Sequence, residues 1–178
     1  MNTRDGNALF RYIEPYDVAF CRALNRTIQH WGVRPFFATI SRLGDGLFWY
    51  VLMGLLPLLY DRNAWIVSLH MALTGAVGVA LYKLLKSRLV RTRPFEAYRG
   101  IQLGAAPLDK YSFPSGHTLH AVSFSVIVIA NYPEWSALLL PFTALVALSR
   151  VVLGLHYPTD VLAGASLGAL LAIASLQI

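Results

Sequence analysis

AWIVSLHMALTGAVGVALYKLL, residues 64–85, is apolar for longer than a buried strand or an ordinary core helix requires. At 1.5 Å per residue such a helix crosses a hydrocarbon layer of roughly 30 Å. Its one formal charge, Lys83, stands close enough to the end to reach the interface along its own aliphatic stem. The rest of the chain agrees. Of 178 residues, 56% are hydrophobic and only 13% charged, with a mean hydropathy of +0.53, too little polar surface to cover a water-soluble domain.

Working outward from this span, four more apolar runs follow the same logic. Residues 47–60 form a short run containing Pro57, and residues 115–131 a run that fades at Asn131. Residues 135–153 hold Arg150 near their carboxyl end, and the last run starts at Pro158, a favoured first helical position, and continues to the terminus. Tight connections at residues 61–63 and 131–134 predict antiparallel neighbours. The expected fold is an all-α membrane bundle of about five transmembrane helices, and this single unit accounts for residues 1–178. Gly164 and Gly168 form a pair of small residues one turn apart, suited to helix packing within the chain or to a dimer, so no oligomeric state follows.

Residues 1–43 are more charged, and the order of a signal peptide is absent because Arg11, Glu14, Asp17 and Arg22 interrupt it. Insertion is therefore expected to rely on the later helices. Within this region, residues 17–31 place Cys21, Leu24, Ile28 and Trp31 on one helical face and Arg22, Arg26 and Gln29 elsewhere. Two readings fit: an amphipathic helix lying in the interface, or a helix docked on the bundle. Cys21, the lone cysteine, is expected to be a small apolar packing residue. The formal charge of +6 is interleaved with apolar spans and forms no basic, aromatic-spaced stripe, which points away from nucleic acid and towards anionic lipid.

Ionisable residues beside a bilayer are costly, so their clusters mark function. Three stand out: KSRLVRTRP at 86–94, FPSGHT at 113–118, and SRVVLGLHYPTD at 149–160. With alternating spans and one long polar connection at residues 90–114, all three fall on one side of the membrane. Lys86, Arg93 and Arg150 then supply three cations for the oxygens of a phosphate. Ser115 and Gly116 stand where a helix begins, so a hydroxyl, bare N–H groups and the positive end of the helix dipole are available to the same anion. Taken alone, PSG before a helix is equally a turn and a cap.

His156 and Asp160 lie four apart across the helix start at Pro158, a spacing that lets the carboxylate orient the imidazole as a nucleophile. His117 is then available to protonate a leaving oxygen. His70 and His120 lack such company and are assigned to packing. The three cations would repel a divalent ion and already do its electrostatic work, so no metal and no other cofactor is expected.

Lys86, Arg93 and Pro94, then Pro114 to His117, then Ser149, Arg150, His156 and Asp160, match in full and in order K-x6-RP, PSGH and SR-x5-H-x3-D. In this the chain resembles the type 2 phosphatidic acid phosphatase superfamily, with the catalytic motifs spanning residues 86–160. The resemblance implies a metal-independent lipid phosphatase. In it, the residue matching His156 attacks phosphorus, and the one matching His117 protonates the departing oxygen and later activates water. Implied substrates are undecaprenyl pyrophosphate, phosphatidylglycerol phosphate or phosphatidic acid. Two other functions fit parts of the pattern: transfer of the phosphate to another acceptor, and non-catalytic binding or transport of a phosphorylated lipid.

Members of this kind are commonly bacterial inner-membrane enzymes with the site at the periplasmic face, often with six spans. Six arginines before residue 43 favour a cytoplasmic amino terminus by the positive-inside rule, whereas five spans with a periplasmic site put it outside. The family orientation is the expectation, because an interfacial helix binds anionic headgroups on either face.

Overall fold

A computed structural model describes residues 10–60 and 63–177. The 64–85 stretch lies in one unbroken helix, α4 (Ala64–Arg88), whose apolar residues face all directions and whose last turn carries Lys86 and Arg88, favourable beside the carboxyl-terminal carbonyls. Three more apolar helices follow: α6 (Gly116–Asn131), α7 (Ser136–Val152) and α8 (Pro158–Ser175). A single 3₁₀ turn, Pro133–Trp135, leads into α7 and extends it to a 20-residue span. Asp61 and Arg62 of the other expected tight connection, and residues 1–9 of the amino-terminal region, lie outside the described residues.

The first span is longer than residues 47–60. It begins with α2 (Val33–Arg42), passes through a widened π turn, Leu43–Leu47, and continues as α3 (Phe48–Leu59), giving 27 residues in all. Asp45 between two glycines interrupts the apolar pattern, and the chain kinks there at Gly46 (φ +131°) while remaining helical on either side. Residues 33–43 are thus helical and lead directly into the apolar part of this span. Among the described residues, four helices are long and apolar enough to cross a membrane, and the 16-residue α6 packs among them as a shorter fifth. The chain is an integral membrane protein.

The core between the spans is aromatic. Trp49 of α3 meets Phe124 of α6 and Phe142 of α7 at centroid distances of 5.4 and 5.6 Å, spacings at which edge-to-face rings attract. The α6–α8 contact brings backbone against backbone at two glycines. A Cβ on Gly164 would lie 2.4 Å from the Ser115 carbonyl oxygen, and one on Gly168 2.3 Å from that of Leu119. The two backbones touch there, so the glycine pair serves packing within the chain.

Helix α1 (Glu14–Asn25), with Pro15 in its first turn, lies at the polar end of the bundle against α7 and α8. Val18, Cys21 and Asn25 are buried, and the Asn25 amide donates to the carbonyls of Val152 and Gln102, both at 2.9 Å. This is the docked helix of the two readings, with Tyr16 and Phe20 still exposed on its outer face. Trp31 does not join Cys21 and Ile28. The chain leaves the helical path at His30 and turns at Gly32 (φ +85°), which leaves the indole wholly exposed.

Candidate active site

The three charged clusters converge because each sits at the polar end of an element. Lys86 ends α4, and Arg93 precedes the short helix α5 (Pro94–Ala97). His117 is in the first turn of α6, Arg150 in the last turn of α7, and His156 in the link to α8. Lys86, Arg93, Gly116, His117, Arg150 and His156 all line one cavity of about 830 Å³. Ser115 and Asp160 lie behind this lining and are fully buried. The Ser115 hydroxyl is turned into its own helix, where it pairs with the Thr118 hydroxyl at 2.9 Å and accepts from the Thr118 N–H at 3.5 Å, the capping geometry.

His156 is 1% exposed. Its Nε2 lies 3.3 Å from Arg93 Nη1, and its Nδ1 is 3.6 Å from Asp160 Oδ2, an ion-pair distance rather than a hydrogen bond. Burial, then the charges of Arg150, Arg93 and Lys86, hold this imidazole well below its ordinary pKa, so it is neutral at neutral pH, with the Nε2 lone pair turned towards the Arg93 N–H. Asp160 is itself held firmly. One oxygen accepts from the Tyr157 N–H at 2.9 Å and the other from Arg91 Nη1 at 2.6 Å.

Arg91, which the motif spacing does not mark, is the hub of a buried network. It donates to Thr159 Oγ1 at 2.9 Å and to Asp17 Oδ2 of α1 at 2.7 Å, and lies between the rings of Phe10 and Tyr157. Asp17 in turn accepts from the Thr159 hydroxyl and from its N–H at 3.1 Å. The helix that carries Asp17 thus reaches the residue behind His156. Cys21 is packed against the same region, its thiol pushed up to about 12 by burial and by the charges of Asp17 and Asp160, which makes it inert.

Two further carboxylates face the cavity. Asp109, in the long connection, accepts from Lys86 Nζ on both oxygens at 2.7 Å and from Arg93 Nη2 at 2.6 Å. Burial opposes its charge, but the hydrogen bonds and charges of Lys86 and Arg93 outweigh that and hold its carboxyl below the ordinary value. Asp45, from the π turn, lies 3.4 Å from His117 Nε2. An Asp between glycines inside an apolar segment was the available signal for it, and a lone charge within a span is a functional hint in its own right. The guanidinium of Arg150 donates to the Ser41 hydroxyl, and its Nε has no hydrogen-bond partner among the described residues.

His120 and His70 take the packing places expected of them. His120 Nε2 is 3.2 Å from the Gly75 carbonyl, although its ring also borders the cavity, and His70 Nε2 is 2.8 Å from the Ser175 hydroxyl. Away from the charges the cavity becomes apolar, running between Trp49 and Met53 of α3 and Ala72, Ala76 and Val79 of α4. Ala72 is roughly 20 Å along the helix from Lys86. A second cavity of about 520 Å³ shares Asp45, His117 and Arg150 with the first and adds Arg34 and Arg42. The combination is a cationic end with two imidazoles over an apolar groove, suited to a phosphate carried on a long hydrocarbon.

Comparison with known proteins agrees with this arrangement. The chain is 31% identical over 140 residues to an undecaprenyl-diphosphatase of Sulfolobus acidocaldarius, covering 78% of this chain and 67% of that protein. It is also 31% identical over 159 residues to phosphatidylglycerophosphatase B of Bacillus subtilis, covering 81% and 68%. The crystal structure of Aquifex aeolicus LpxE superposes with a TM-score of 0.79 at 25% identity, over the whole of both chains. The family model of the PAP2 superfamily matches residues 63–178, from the start of α4 through every charged cluster of the cavity, and the chain belongs to that superfamily.

Proposed function

We propose that this membrane phosphatase hydrolyses a phosphomonoester or diphosphate of a lipid through a phosphohistidine on His156. The observation that carries the reading is one cavity holding Lys86, Arg93, Arg150, His117 and His156 at one end and mainly apolar side chains of two spans at the other. The cations bind the phosphate, and the charge they neutralise is the charge that would otherwise repel a nucleophile. Nε2 of the neutral His156 attacks phosphorus. The bond to the lipid oxygen breaks, and that oxygen takes a proton from His117. Water, losing a proton to His117, then attacks phosphorus. The P–N bond breaks with its electron pair returning to Nε2, and phosphate leaves. Asp160, fixed by Arg91 and the Tyr157 N–H, stabilises the imidazolium character that His156 gains during attack.

Undecaprenyl pyrophosphate, phosphatidylglycerol phosphate and phosphatidic acid all offer what the cavity fits, a terminal phosphate on a long apolar tail. The names of the two curated relatives support the first two. The family resemblance supports a bacterial inner membrane with the site at the periplasmic face. The amino-terminal helix, docked at the same end as the site, is then on that face too. The test is phosphate release from these three lipids in the presence of chelator, together with trapping of a phosphorylated protein from labelled lipid. Turnover of at least one lipid and label on the wild type but not on His156→Ala is expected. No turnover of any of them, or full turnover by His156→Ala, rejects the reading.

A further inference from the structure

A general acid must be protonated when substrate arrives, and the cavity is a poor place for a second positive imidazole. His117 is faced by Arg150 from α7, Lys86 from α4, His156 from the α7–α8 link and His120 from its own helix. All of these are cationic or become so on protonation. Against them stands Asp45, whose Oδ1 is 3.4 Å from His117 Nε2. Asp109 also borders the cavity, but its oxygens are taken by Lys86 and Arg93.

The backbone around Asp45 is built for this contact. The π turn Leu43–Leu47 adds a residue to the helical ladder and redirects the side chain it carries, a device frequent at functional sites. Glycine on both sides permits it. Gly44 packs where a Cβ would come within 2.7 Å of Val146, and Gly46 takes φ +131°, closed to most side chains. Neither the charge nor the bulge is explained by packing of an apolar span.

We infer that Asp45 is the positioning residue of the general acid: its carboxylate pairs with His117 Nε2 and keeps the imidazole protonated, leaving the other ring N–H for the departing oxygen. The inference rests on the phosphatase reading above and assigns the acid's partner in it. In the first half-reaction the lipid oxygen takes the proton from His117 as the P–O bond breaks. In the second, His117 takes one from water, and Asp45 stabilises the imidazolium so regenerated. Neither half-reaction changes the charge of Asp45.

The experiment compares full-length wild type, Asp45→Asn and Asp45→Glu on phosphatidic acid, whose leaving alkoxide needs a proton, and on p-nitrophenyl phosphate, whose leaving phenolate does not. Asp45→Asn is expected to lower kcat on phosphatidic acid by about a hundredfold, the scale of a general acid's contribution, and on the aryl ester by less than about fivefold. The alkaline limb of its phosphatidic acid profile moves to lower pH, and Asp45→Glu restores part of the rate. Equal losses on both substrates, or an unmoved alkaline limb, overturn the inference. A direct titration of carbon-13-labelled His117 by NMR in detergent reads the pairing without turnover. The ring is expected to lose its proton at lower pH in Asp45→Asn. An unchanged titration overturns the pairing even if lipid is hydrolysed, and a shifted one upholds it even if none is.

Discussion

At the scale of single residues, the proposed mechanism separates groups that react from groups that hold them. His156 presents Nε2 to the cations and Nδ1 to Asp160, so the two neighbours act on different ring atoms. On the proposed mechanism, loss of the carboxylate weakens orientation, whereas loss of the ring removes the nucleophile. Asp160→Asn is therefore expected to retain on the order of a hundredfold more activity than His156→Ala, measured as kcat/KM on one lipid. Equal losses would count against the assignment. Asp109 supports a second expectation. Its carboxylate occupies the donors of Lys86 and Arg93 that a phosphate would use, so a bound phosphate has to displace it. In Asp109→Asn, the dissociation constant for inorganic phosphate, measured by calorimetry, is expected to fall by about tenfold, the effect of removing one charge-assisted competitor. A rise instead would make Asp109 a support that aims the cations.

At the scale of elements, α6 and α8 behave as one unit because their backbones touch at Gly164 and Gly168. His117 begins one of these helices and His156 immediately precedes the other. Gly168→Ala forces a methyl against a carbonyl oxygen and is expected to destabilise the protein by about 1–3 kcal/mol, read as a lowered unfolding temperature in detergent with activity lost in parallel. What the sequence shows at this scale follows from chain-local physics. Apolar runs bounded by polar or turn residues locate α4, α6, α7 and α8 to within a few residues, and alternation of spans is enough to bring Lys86, His117 and His156 to one end. The helix before Asp45 is hidden because that residue breaks the apolar pattern, and only the structure shows helix on both sides of the kink at Gly46. The partners of the named residues are hidden for another reason. Arg91 meets Asp17, and Asp45 meets His117, across separations of 74 and 72 positions, and no spacing rule reaches that far. Arg91 also stands among other cations in KSRLVRTRP, where nothing local distinguishes it from Arg88, which is exposed.

At the scale of the whole molecule, charge and apolar surface are segregated along the bundle. Large side chains such as Leu58, Leu73, Leu162 and Leu170 are exposed on the outside of the spans, the surface a bilayer covers, while the buried cations gather at one end. The apolar part of the cavity descends from that end between α3 and α4. A lipid headgroup can therefore tip into the cations while its tail stays among its neighbours, and no hydrocarbon has to pass through water. The catalyst then works in a two-dimensional solvent. Its rate is expected to follow the mole fraction of substrate within mixed micelles or vesicles and to stay constant when more particles of the same composition are added at saturation. Diluting the surface with inert detergent at fixed bulk substrate should slow it, as though the concentration that matters were counted per unit of area.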